Sequence, residues 1–410
     1  MKRRVLWIAI GLAILFLALC GGGGLALYRS LNSASNSLEA EFSKARSHGI
    51  PLTADEVPEP VSVEPSRNAA LAYKGVFDEW QRVRPKIDDK RWQSLSTGRI
   101  LDEDKAQLLS ECGALADLFA RAASKPAAQW SIDYRSAAFS DYPVWSAIGD
   151  AATVWAERLP AFGPGEARTG FAASGHVLSS HDPGSLRTAS LIRIVMLKKI
   201  AEGLPEGDRS WTKSMHEVLD QAKPIDPIPV WRTTAFLQYE TWTRYGELTK
   251  EQKETFGAAM REQGVVVDAQ TAEILKFWNE ALADAEGKPA LTQYIELGEK
   301  VRKLRERTDP GAVALQKLWG LPSAKGGAGS LEWLIANEQL ALMQQALDIL
   351  VQSEDLPDRF DCKRVSVLGQ VPFTYQRTPD GFRLSAKPAP VLAADSPLAQ
   401  QNLAYEFRSK

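Results

Sequence analysis

Apolar and polar positions along this chain change period twice. From Val5 to Tyr28 no charged residue interrupts the run, which at about 1.5 Å per residue makes roughly 36 Å of helix, enough to cross a bilayer's hydrocarbon core with some tilt. The Leu, Ile, Val and Phe residues between Val5 and Leu19 contribute roughly −0.3 to −0.6 kcal/mol each to insertion, summing to roughly −3 to −6 kcal/mol, which outweighs the helix-weakening Gly21-Gly22-Gly23-Gly24. Through the middle of the chain the spacing becomes three and four, the mark of amphipathic helices. Near the C-terminus it becomes two, the mark of strands.

The helical part opens with Ser66 as expected N-cap, followed by Ala69, Tyr73, Val76, Phe77, Trp80 and Val83 on one face. Leu108, Cys112, Leu115, Phe119 and Ala122 form a second stripe. Further helices are predicted at about 142–159, 165–180, 184–203, 209–222, 231–248, 250–262, 268–285, 290–307 and 330–353. Asp182-Pro183 and Asp309-Pro310 each supply a carboxylate cap with proline at the first helical position, where its missing N–H costs nothing. Leu191 to Leu197 is apolar nearly all round apart from Arg193, which predicts a helix central to the core. Phe373, Tyr375 and Arg377, the turn Thr378-Pro379-Asp380-Gly381, and Phe382, Leu384 and Ala386 predict a β-hairpin. Leu403, Tyr405 and Phe407 offer a third strand, and so small a sheet must pack on the helices.

The fold class is therefore mainly α, with an N-terminal transmembrane helix, a multi-helix extracytoplasmic domain and a small C-terminal antiparallel sheet. The expected divisions are a cytoplasmic N-terminus over 1–4, the membrane helix over 5–28, a Ser/Pro-rich tether over 29–65, the helical domain over 66–353, and the β module and tail over 354–410. The tether rests on the Ser and Asn content of 30–37 and on Pro51, Pro58, Pro60 and Pro65, with a short helix at about 38–47 between them. Lys2, Arg3 and Arg4 before the span hold the N-terminus in the cytoplasm by the positive-inside bias, so everything from Arg29 onward is exported from the bacterial cytoplasmic membrane. A cleaved signal reads the same residues differently, but no small-x-small cleavage site follows. Leu17-Ala18-Leu19-Cys20 resembles a lipoprotein signal, with Leu19 where that pattern takes a small residue.

Composition narrows the partners. With 49 basic and 51 acidic residues in 410, and no basic block after the first four residues, nothing points to nucleic acid. Cys20, Cys112 and Cys362 have no metal-site or redox spacing. Cys112 falls within an apolar stripe and reads as a small buried hydrophobe, with a bond to Cys362 as the alternative.

In Gly49-Ile50-Pro51-Leu52-Thr53, Asn68-Ala69-Ala70 with Tyr73, Leu191-Ile192-Arg193 and the hairpin residues 375–382, the chain resembles a loose family of membrane-anchored, exported bacterial helical proteins. That resemblance implies a membrane or signal segment and a helical body, and it brings no activity with it.

The search for chemistry assigns no catalytic residue, cofactor or metal ligand. His176 and His181 are five apart, whereas two ligands share a helix face at i, i+4. His181-Asp182 reads as cap and neighbour rather than dyad, and His48 and His216-Glu217 read as solvated. Ala324-Lys325-Gly326-Gly327-Ala328-Gly329-Ser330 lacks the order of a phosphate loop, and Ser330 caps the next helix. Twelve tryptophans are the one compositional excess. Trp231, Tyr239, Trp242 and Tyr245, with Tyr142, Trp145 and Trp155, read as packing between helices, with a ligand groove as the alternative. The expectation is a binding or structural protein of the cell envelope, held in the membrane by its N-terminal helix and contacting an envelope protein or a cell-wall component. The alternative is an envelope hydrolase acting on glycan or peptide through carboxylates that the sequence does not pair.

Overall fold

A computed structural model describes residues 37–57, 62–97, 100–132, 145–159, 161–205, 207–243, 267–308, 331–352, 355–390 and 404–408. The proposed membrane helix, the glycine-rich loop 324–330, the helix expected at 250–262 and the Asp309-Pro310 cap lie outside these residues. Among the described residues no helix is long and apolar enough to cross a membrane.

The described chain is mainly helical. Helix α1 spans 37–47, and α2 (Ala69–Val83), α3 (Asp89–Thr97), α4 (Asp102–Glu111), α5 (Gly113–Ala123), α6 (Trp145–Arg158) and α7 (Pro164–Leu178) follow. Then come α8 (Pro183–Gly203), α9 (Arg209–Gln221), α10 (Ile228–Thr243), α11 (Val267–Ala285), α12 (Ala290–Glu306) and α13 (Glu332–Gln352). Strands β1 (Thr374–Thr378), β2 (Gly381–Ser385) and β3 (Ala404–Arg408) form an antiparallel sheet in that order, with Thr378 opposite Gly381 and Phe382 opposite Phe407. The expected hairpin and third strand are both present. Phe382 stacks between Tyr375 and Phe407, and Phe373, Phe382, Leu384 and Phe407 seat the sheet on the helices.

Among the described residues, two apolar clusters make up the interior. One gathers α2, α5, α6, α7, α9 and the sheet. The other gathers α10, α11 and α12 with Ala45, Ile50, Leu52 and Val57. Helices α8 and α13 join them. Leu186 on α8 and Trp333, Leu334 and Ala336 on α13 face the second cluster, while Ile192 and Met196, and Leu340, Met343 and Leu347, face the first. These long helices pack against each other, so neither cluster is closed without them.

The tether expectation needs correction over 37–57. Ala45 is 0% and Ile50 2% exposed, and Asn279 Nδ2 donates to the Glu41 carbonyl at 3.0 Å and to its carboxylate at 2.9 Å. The body therefore begins well before Ser66. Prolines around Ile50, Leu52 and Val57 gave the segment a linker's composition, but those aliphatic side chains have no period because they are buried from a loop. Gly49, at φ +67, takes the left-handed turn that ends α1.

Other local expectations were displaced in instructive ways. Asn68, not Ser66, caps α2, its Oδ1 accepting from Ala70 N at 3.0 Å. The stripe through Cys112 is split there into α4 and α5 and still buries Leu108, Cys112, Leu115 and Phe119. In α8, Ile192, Met196 and Leu197 are buried as a core helix requires, but Leu191 and Arg193 exchange places. Leu191 is 37% exposed and Arg193 7%, the guanidinium donating to Ser174 Oγ at 3.0 Å and to the Lys223 carbonyl while lying over the Phe171 ring.

Candidate functional site

The polar side chains of α13 organise the molecule. This helix buries Trp333, Leu334, Leu340, Met343 and Leu347 on its apolar side, yet Asn337, Glu338 and Gln345 are also almost fully buried. Buried polar groups must be hydrogen-bonded or they destabilise the fold, and here each has a defined partner.

Two stripes of partners run along the helix. Asn337, Gln344 and Asp348 sit at i, i+7 and i+11, so they lie on one face. Asn337 Oδ1 accepts from Ile225 N at 2.7 Å and its Nδ2 donates to Ile225 O at 2.9 Å. Gln344 Nε2 donates to Leu219 O at 2.7 Å, and Asp348 Oδ1 lies 2.7 Å from His216 Nε2. As α13 ascends from 337 to 348 its partners descend from 225 to 216, so α9 and the loop after it run antiparallel to α13 along a polar seam.

The second stripe grips the segment that leads into the sheet. Glu338 accepts from Ser366 Oγ at 2.9 Å and from Leu368 N at 3.0 Å. Gln345 Oε1 accepts from Arg364 N at 2.9 Å, and Asp348 Oδ2 accepts from Arg364 Nε at 3.0 Å. Burial raises the Glu338 carboxyl above its ordinary range, opposed by the hydrogen bonds from Leu368, Ser366 and Val367.

Both stripes meet at Asp348. Asp220, four residues after His216 on α9, completes the cluster, its Oδ2 3.4 Å from His216 Nδ1 and its Oδ1 2.6 Å from Arg364 Nη2. Each carboxylate thus spends one oxygen on the imidazole and the other on the guanidinium. Asp348 holds Arg364 in its charged form, first through their hydrogen bond and with Asp220 adding to it. The sequence reading of His216 as solvated is corrected: its side chain is 22% exposed and lies between two carboxylates. The i, i+4 spacing of His216 and Asp220 was visible in the sequence; Asp348 and Arg364, far away along the chain, were not.

Among the described residues, the remaining sequence candidates lie at caps, in loops or in the core. Asp182 Oδ1 accepts from Gly184 N at 2.7 Å, as the cap requires, and also from Trp145 Nε1 at 2.6 Å. Burial pushes this carboxyl up to about 6, against the bonds from Gly184, Trp145 and Ser185. His181 does not pair with it across the turn but sits at φ 53, half-buried. His176 is buried edge-on to Tyr73, and desolvation pushes its imidazole down to about 4. His48 is half-buried, its Nδ1 3.7 Å from Glu286. Cys112 and Cys362 are both free and buried, and desolvation pushes both thiols up to about 11. Trp231, Tyr239, Trp145 and Trp155 are core residues rather than the walls of a groove, and Tyr142, Tyr245 and the Trp242 side chain lie outside the described residues.

Comparison with family models, with curated proteins and with solved structures gives no match to this chain.

Proposed function

We propose that this chain is a single-pass, membrane-anchored extracytoplasmic protein whose helical body serves a binding or structural role in a bacterial cell envelope. The anchor and its orientation rest on the apolar run Val5 to Tyr28 behind Lys2, Arg3 and Arg4. The observation that carries the role is the use made of buried carboxylates. A glycan hydrolase of the two-carboxylate kind needs an acid and a base free to face substrate, with carboxyl groups about 5 to 10 Å apart across a cleft. Here Glu338 is engaged by Ser366 and Leu368, Asp182 by Trp145 and Gly184, Glu41 by Asn279 and Lys44, and half-buried Glu157 by Lys105 and Lys199. Such groups act as struts, and they support a rigid surface for contact with a partner.

Photocrosslinking from exposed positions of the full-length protein in living cells, followed by identification of the captured neighbours, tests this reading. Reproducible capture of one envelope protein or of cell-wall fragments is expected. Capture of lipid alone, or of no specific neighbour, contradicts a binding role.

A further inference from the structure

Only residues 29–36 separate the apolar run Val5 to Tyr28 from the start of α1 at residue 37. Fully extended they reach at most about 29 Å, roughly the length of α11. Helix α1 adds nothing to that reach, because it is part of the body. Asn279 holds Glu41 through two hydrogen bonds, the Phe42 ring lies edge-on to Tyr239 with centroids 6.1 Å apart, and Ala45 is buried. An anchor in the bilayer therefore keeps one end of the body, the end that carries residue 37, close to the membrane surface.

Contacts along the helices identify that end. Glu41 meets Asn279 and His48 meets Glu286, so α1 runs parallel to α11 and its first residue lies beside the N-terminal half of α11. Helix α12 returns antiparallel to α11: Lys300 pairs with Asp284 at 2.8 Å and with Glu280 at 3.4 Å, and Arg307 with Glu273 at 3.1 Å. The last turn of α12 thus lies at the same end of the body as the start of α1. That turn and the residue after it carry Arg302, Lys303, Arg305 and Arg307.

Charge is left over at this end. Glu299 and Glu306 are taken by Arg302, and Glu273 by Arg307. Exposed Lys303 and Arg305, with exposed Lys276 on α11, make no ion pair among the described residues; exposed Glu39 on α1 and half-buried Glu240 on α10 oppose them. At the other end of the same helices Arg232 and Lys288 are paired with Glu286 and Glu296. The helix dipole favours cations in the last turn of α12, but it does not account for their standing unpaired where the chain leaves the anchor. We propose that this end of the body, through Lys276, Lys303 and Arg305, rests on the anionic phospholipid headgroups of the membrane that holds the anchor. The inference rests on the anchor reading given above. Attraction of basic side chains to an anionic surface acts within about 8 Å at physiological ionic strength, a separation that the eight connecting residues permit.

Full-length protein with Cys20→Ser and either Thr308→Cys, at this end, or Lys288→Cys, at the other, is labelled with a fluorophore and reconstituted into vesicles containing headgroup spin-labelled lipid. Phosphatidylcholine vesicles with and without phosphatidylglycerol are compared, and circular dichroism checks the fold of each variant. In the anionic vesicles the label at 308 should be quenched at least about two-fold more than the label at 288, and high salt or Lys303→Glu with Arg305→Glu should remove most of that difference. Flotation of the vesicles after an alkaline wash separates the two ways of failing. Protein that does not float with the lipid defeats the anchor reading and the docking with it. Protein that floats but is quenched equally at 308 and 288 overturns the docking alone, and so does a difference that responds neither to salt, nor to charge reversal, nor to the charge of the lipid.

Discussion

Asn337→Ala probes the seam where its energetics are simplest to work out. The Asn337 side chain is 3% exposed and satisfies both backbone groups of Ile225, accepting from its N–H at 2.7 Å and donating to its carbonyl at 2.9 Å. Truncation leaves a donor and an acceptor buried without those partners, at about 1–3 kcal/mol each, so the variant should lose about 2–6 kcal/mol of stability. Asn337→Asp separates the two bonds: its carboxylate still accepts from Ile225 N but sets an oxygen against Ile225 O, so it too should be destabilised. Urea unfolding of the purified full-length protein, followed by tryptophan fluorescence, measures both. Hydrogen exchange at the Ile225 amide should quicken in Asn337→Ala before global unfolding does. A loss under about 0.5 kcal/mol, the size expected for a surface substitution such as Leu101→Ser at a 73% exposed site, would refute the assignment of that bond pair.

Four further outcomes follow. The folded state holds the Asp182 proton more tightly than the unfolded chain, so the stability from this group is full below about 3.8 and is lost as pH rises through about 6, amounting to about 3 kcal/mol at most. His176 acts oppositely, its contribution full above about 6.5 and lost as pH falls through about 4. Asp182→Asn should therefore make stability fall more steeply between pH 6 and 4 than in the wild type, and His176→Phe should do the reverse; unfolding curves across that range with unchanged slopes would contradict both assignments. On α7, Gly175→Ala meets no atom within 4 Å and should stabilise by about 0.5–1 kcal/mol, whereas the Cβ of Gly170→Ala would come within 2.1 Å of Met196 Sδ and should destabilise by about 1–3 kcal/mol. Thermal melts distinguish the two. Cys112 and Cys362, buried and with their thiols pushed up, should react with maleimide only after denaturation, and rapid labelling of either in the native protein would be inconsistent with that burial.

Much of the architecture was legible because it depends on local periodicity. The helices near 165–180, 184–203, 209–222, 268–285 and 290–307 are found within one or two residues of the places their apolar spacing and caps predict, and the alternation around Thr378-Pro379-Asp380-Gly381 gave the hairpin. What the pattern missed depends on distant partners. Arg193 looked like the one polar interruption of an apolar helix, yet it is buried because Ser174 and Lys223 supply its hydrogen bonds, and Leu191 faces outward instead. Ile50 and Leu52 looked like linker residues because a loop that fills a core has no period to read. The Asp348 cluster shows the same limit: His216 and Asp220 are one helical turn apart, but Arg364 and Asp348 join them only through the packing of α9 against α13. No local rule marks Asn337, Glu338 or Gln345 as buried, since each would be an ordinary surface residue if Ile225, Leu368 and Arg364 were elsewhere.

Topology is the most direct test of the account. A phosphatase reporter that is active only outside the cytoplasm, fused after Lys410, should be active in cells producing the full-length chain and should stay with the membrane fraction when cells are broken. Loss of Val5 to Tyr28 should abolish both properties. A reporter that is inactive at the C-terminus, with a cytosolic reporter at the same position active instead, would contradict the proposed placement and the envelope role built on it.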